Sequence, residues 1–269
     1  MDVEITEEAL SEAFGFVVSK EFTKAILAAV ARAPKAPHTG FSKFGLDLGG
    51  PLFAFLGGDS TRSLRCPQMP PEFFPFAVRR ADPDIYVGFL VDHPLMEGPA
   101  NTTFAVCVPE HPERSGAVAR DEQELFRWLG AHLKEPDTLG TTGASNAYDP
   151  AQVKQWRESR VVYRTADRMG VVVPEENAPL ALLHEELRAR LIEKRDLAKI
   201  QDVGHAALRA GAPGAALALA RDLTWWLGHR DHWYQLANDL YVSAYTQLGR
   251  PLLTRVVRRE WVRLYGGRT

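Results

Sequence analysis

The residues that could do chemistry are few and scattered. Asp92-His93 closes one apolar run, Cys107 lies inside the next, and His111 follows it. A thiol, an imidazole and a carboxylate are the parts of a nucleophile and its base. Cys107, however, sits in the middle of TFAVCVP, where a small thiol packs as an apolar group. His184-Glu185-Glu186 carries half of a zinc-protease motif; the second histidine, four residues on, is replaced by Arg188, which leaves a solvated helix face. His229, Asp231 and His232 have the ligand types for a metal, but Asp231 more simply caps a helix. GTTGAS at 140–145 lacks the Gly-Lys-Ser/Thr ending of a phosphate loop and reads as linker. The sequence therefore assigns no catalytic residue, no metal and no cofactor.

Recognition chemistry is better represented. Arg79-Arg80-Ala81-Asp82-Pro83-Asp84 joins two strand-like runs, and alternating charge on a rigid turn suits protein recognition. Trp225, Trp226, Trp233 and Tyr234 lie close together; an exposed aromatic pair such as Trp225 and Trp226 would be a binding anchor, and packing between helices is the alternative. The candidate partner-binding residues are Arg79, Arg80, Asp82, Asp84, Trp225 and Trp226. Arg250, Arg255, Arg258, Arg259 and Arg263 stud the last helix opposite its apolar stripe; such a face could meet acidic partner groups or phosphates, is more often simply solvated, and lacks the aromatic interleaving of a strand-binding surface.

Composition narrows the class. The chain has 269 residues, a net charge of −2 and 25% charged residues, which is globular and gives no general attraction to nucleic acid or anionic membrane. Residues 1–135 carry 13 basic and 19 acidic side chains, whereas 136–269 carry 19 and 15, an asymmetry that fits two domains, or an acidic face and a basic one. MDVEITEEAL has no apolar segment of a secretory signal, and no run approaches a membrane span. Cys66 and Cys107 are too few for a disulfide framework, so reduced thiols in a cytoplasmic protein are expected.

The elements that must position these residues follow from periodicity. Residues 6–14 and 19–33 read as helices, the second capped by Ser19 and ended by PKAP. Leu52–Leu56 reads as a strand. Phe73–Val78, Ile85–Val91 and Thr103–Val108 read as strands between Pro, Gly, Asp and Asn. Asp121 then caps a helix, with Glu124 completing a capping-box-like pair and Leu125, Trp128, Leu129 and Leu133 on one stripe. Residues 136–178 read as a linker holding a short helix with Val153 and Trp156 and a hairpin around Arg168-Met169-Gly170. From 179 to 269 the pattern is helical, broken at Gly211 and Gly249, with Ala216, Leu219, Leu223 and Trp226 as one of its stripes. The expected fold is α+β, an antiparallel sheet with flanking helices over 1–135, followed by an all-helical domain.

Gly211 and Gly249 stand 38 residues apart, close to the period of tetratricopeptide-like units. With Gly204 and Ala216 at small-residue positions, the tail resembles a degenerate pair of such repeats; a plain helical bundle is the alternative. In the front half, EEALSEAFGF and SKEFTKAILAAV, then PPEFFPFAV, IYVGFLVDHP, TFAVCVPE and AVARDEQELFRWL, follow one another as in the SUKH superfamily, which this half resembles. That family carries a Gly- and Asp-rich turn where this chain has RRADPD. The resemblance implies a helix pair, a curved antiparallel sheet and a closing helix. It also implies a non-enzymatic protein-binding domain, in bacteria an immunity protein that neutralises a toxin domain. The helical tail would then be a second docking surface or a dimer contact. Two other readings stay open: a scaffolding adaptor built on the helical repeats, and a hydrolase or transferase using Asp92, His93 and His111.

Overall fold

The computed structural model describes residues 4–58, 64–93, 102–133, 148–174, 183–227 and 231–265. The chain divides into two units. One gathers Met1–Arg65, Phe73–Val108 and Gly116–Trp156; the other gathers Cys66–Glu72, Pro109–Ser115 and Arg157–Thr269. This is the α+β front part with a helical C-terminal region that the sequence predicts.

The first unit opens with α1 (Glu7–Phe14) and α2 (Lys20–Ala31). Thr6 caps α1 by accepting the Ala9 N–H at 3.1 Å, and Ser19 caps α2 by accepting the Phe22 N–H at 3.0 Å. Gly15 ends α1 in the left-handed region at φ 80°, which glycine enters without steric cost. The sheet is a meander of β1 (Leu46–Leu48), β2 (Phe73–Arg79), β3 (Asp82–Val91), β4 (Thr102–Cys107) and β5 (Gly116–Ala119), each antiparallel to the next. Its core is aromatic. Phe22 of α2 sits 5.5 Å from Phe76, 4.7 Å from Phe89 and 6.0 Å from Phe104, joining helix to three central strands. Phe14 and Phe16 add edge contacts to Phe89 at 5.2 and 5.3 Å.

α4 (Glu122–Leu133) closes the unit. Asp121 accepts the Glu124 N–H at 2.8 Å, as the capping pattern predicts, and Glu124 reaches back to the Arg120 N–H at 2.9 Å. Ser19 also donates its hydroxyl to the buried Glu122 carboxylate, tying the cap of α2 to the first turn of α4.

Two readings of the sequence change here. Leu52–Leu56 is helical, not extended: α3 spans Gly50–Phe55. Pro51 presets the helical φ in the first turn, where its missing N–H costs nothing. Leu52 and Leu56, four apart, bury the same face, and a five-residue apolar run cannot distinguish the two periods. Conversely, β1 and β5 carry no strand signal of their own, having three and four residues. Their neighbours in the sheet make them strands.

α5 (Pro150–Glu158) leads into the second unit. The backbone then turns through a single bridge between Tyr163 and Val171, and α6 (Glu185–Lys194), α7 (Leu197–Arg209), α8 (Pro213–Leu227), α9 (Asp231–Gln247) and α10 (Pro251–Tyr265) follow. Every residue from Pro213 to Trp225 is buried, so α8 is enclosed on all sides. At Gly204 of α7 a Cβ would come within 2.7 Å of Leu240 on α9; glycine there lets the two helices approach.

Candidate functional site

The charged turn of the first unit is a tight hairpin tip. Arg79 and Asp82 are paired across it, leaving Arg80 and Ala81 as the two linking residues. Arg80 is pinned at both ends: its N–H donates to Gly45 O at 2.7 Å, and its guanidinium donates to Asp47 on β1 at 2.8 Å. Arg80 and Asp84 are exposed, Arg79 and Asp82 half-buried. The sheet therefore presents a fixed alternation of charge at one end. The Arg80–Asp47 pair adds order more than stability, since exposed pairs contribute about 0.2–1 kcal/mol.

The two tryptophans separate. Trp225 is buried, whereas Trp226 is 62% exposed. The sequence places Trp226 on an inward stripe; because α8 is apolar all round, its stripe does not select one face, and the last turn leaves Trp226 in solvent. Trp233 and Tyr234 are buried, with Tyr234 stacked on Trp261 at 5.8 Å.

The catalytic candidates take ordinary places. Cys107 is fully buried in β4, and Asp92 is buried at the end of β3. His111 is exposed and pairs with Glu113 at 3.2 Å. His184 caps α6, its Nδ1 accepting the Leu187 N–H at 3.3 Å. His229, the GTTGAS stretch and the Asp231 side chain lie outside the described residues. Among the described residues no group of three His, Cys, Asp or Glu could hold a metal ion.

What sequence reasoning missed is a buried lattice of guanidinium and carboxylate groups in the second unit. Consecutive residues of α8 anchor it. Arg221 grips Asp167 with two parallel bonds of 2.7 Å and donates a third, also 2.7 Å, to Gly170 O. Asp222 accepts from Arg188 of α6 at 2.7 Å and from the Ala166 N–H at 2.8 Å. Arg188 donates further to Leu183 O at 2.5 Å and to Arg164 O. Asp167 also accepts from the Thr165 hydroxyl at 2.7 Å and the Met169 N–H at 2.9 Å. Arg157 binds Met169 O at 2.9 Å, and Arg250 binds Val172 O at 2.9 Å. The sequence puts Arg250 on the solvated face of the last helix; it is 2% exposed, standing just before α10 with its guanidinium turned in to the Val172 carbonyl.

Four arginines thus supply donors to the carbonyls of Arg164, Met169, Gly170 and Val172, which lie outside helix and strand and, being in a largely buried segment, require partners. Burial pushes Asp167 up, but the charge and hydrogen bonds of Arg221 outweigh this and hold it below the usual carboxylate range. For Asp222 burial prevails over Arg188, and its carboxyl is raised. Burial opposes the charge on Arg221, yet Asp167 and Glu72 beside it keep it firmly protonated. Glu72 lies 4.0 Å from Arg221 and next to Tyr245, whose hydroxyl burial pushes well up without a well-formed hydrogen bond. One signal of this lattice was legible: an Arg-Asp pair inside ALALARDLTWW interrupts an otherwise apolar helix, and charges there are buried only when paired.

No protein-family model matches this chain, and no curated protein matches it significantly. Among the described residues no helix is long and apolar enough to cross a membrane.

Proposed function

We propose that the protein is a non-enzymatic protein-binding protein of the SUKH type, acting as an immunity-type inhibitor of a toxin domain. What carries this reading is the order of elements in the first unit: helix pair, five-stranded meander, closing helix. The same order underlies the resemblance of EEALSEAFGF through AVARDEQELFRWL to that superfamily. The hairpin tip of Arg79, Arg80, Asp82 and Asp84 supplies a preorganised charged edge for the partner. The acidic balance of residues 1–135 suits a basic toxin surface.

The test is co-expression of the full chain with the toxin domain encoded beside its gene. Growth rescue and a stable purified complex are expected, weakened by the double reversal Arg80→Glu/Asp84→Arg. Toxicity unrelieved by the wild-type chain, with no complex at micromolar concentration, rejects the proposal.

A further inference from the structure

The turn from Thr165 to Gly170 is locked from within and strained at its tip. From within, Asp167 holds Thr165, the Met169 N–H and Arg221, while Met169 O and Gly170 O receive Arg157 and Arg221. At the tip, Arg168 stands at φ 64°, in the left-handed region that disfavours any residue with a Cβ. Glycine would fit there without cost, and glycine does occupy the similar position two residues on, at φ 67°. A backbone like this persists only where its surroundings over-determine it, and such places gather at ligand clamps.

The surface of the segment has one sign. Arg164 and Arg168 are exposed, and neither has an ion partner among the described residues. Asp167, the sole carboxylate between residues 159 and 174, is 1% exposed and spent on Arg221. Val162, on the same segment, is 42% exposed. We infer that this turn is a rigid arginine display that binds a carboxylate-bearing protein surface, with Arg168 as the principal contact. A guanidinium fork matches a carboxylate with two bonds, and a fixed backbone leaves less freedom to lose on binding. Protein is favoured over nucleic acid because the display holds only two exposed arginines and the whole chain carries −2, whereas phosphate backbones need extended cationic tracks. The inference stands whatever partner the first unit takes.

The test titrates the full chain with poly-L-glutamate by calorimetry at low ionic strength, about 50 mM. Wild type binds, and Arg168→Ala weakens binding by at least about fivefold, the loss expected of an anchor residue. Arg258→Ala, exposed on α10, serves as the control and leaves binding within about twofold. Arg168→Gly weakens binding equally yet melts at a higher temperature than wild type, which a merely structural arginine would not do. Absence of polyglutamate binding by wild type, or equal effects at Arg168 and Arg258, overturns the inference. So does a lower melting temperature for Arg168→Gly, or tighter binding of single-stranded DNA with the same dependence on Arg168.

Discussion

Replacing Asp167 with alanine is the sharpest probe of the buried lattice. The substitution removes both carboxylate oxygens that Arg221 grips at 2.7 Å, and the acceptor for Thr165 and the Met169 N–H. Arg221, 2% exposed, keeps one bond to Gly170 O and a carboxylate 4.0 Å away. Leaving a buried charge without its partner costs about 3–5 kcal/mol. Spread over a unit of this size, that loss lowers the melting temperature of the helical part by roughly 10–20 °C. The chain has two units, so a single two-state melt is not assumed. Hydrogen exchange read peptide by peptide is the suitable assay: protection falls in 163–173 and α8 while β2, β3 and α2 keep theirs. The double variant Asp167→Leu/Arg221→Met removes both members of the close pair and destabilises less than Asp167→Ala alone, because no buried guanidinium is left without its principal carboxylate. The pH dependence has a definite sign. Asp167 is depressed by Arg221 once burial has been overcome, so its contribution is present above the unfolded value, about 3.9, and fades as pH falls through the folded one. The gap between wild type and Asp167→Ala should stay level from about pH 5 to 8 and narrow only in strong acid. A cost below about 1 kcal/mol, or a double variant as damaged as the sum of its singles, would refute the view that ion pairing holds this segment.

Other perturbations test other joints. Ser19→Ala removes the cap of α2 and a donor to buried Glu122; denaturant unfolding of the first unit should show a loss of about 1–2 kcal/mol. Burial raises the Glu122 carboxyl even against the Ser19 bond, so that loss should shrink once acid protonates Glu122. Gly204→Ala drives a methyl group to 2.7 Å from Leu240, and thermal melts should report about 1–3 kcal/mol of overpacking between α7 and α9. Phe22→Ala opens the aromatic core shared with Phe76, Phe89 and Phe104 and should cost about 3–5 kcal/mol by the same measurement. Trp226→Ala, at a side chain 62% exposed, should change stability by less than about 0.5 kcal/mol.

Local signals carried much of the fold. Ser19, Asp121 and the proline and glycine punctuation placed helix ends to within a residue or two, because caps and breakers act on the backbone beside them. The runs around Phe76, Phe89 and Phe104 announced the central strands, since their apolar residues fit a pleated sheet wherever it lies. The charged tip from Arg79 to Asp84 was legible for the same reason: a two-residue hairpin is a local event. Tertiary structure alone decided the rest. It made a helix of Leu52–Leu56 and strands of Leu46–Leu48 and Gly116–Ala119, where the local preference was too short to choose. It sent Trp226 outward and Arg250 inward, and it set Arg221 against Asp167, 54 residues away in the chain. A charge is buried only when distant groups supply its hydrogen bonds, and no window of sequence holds both halves of that bargain.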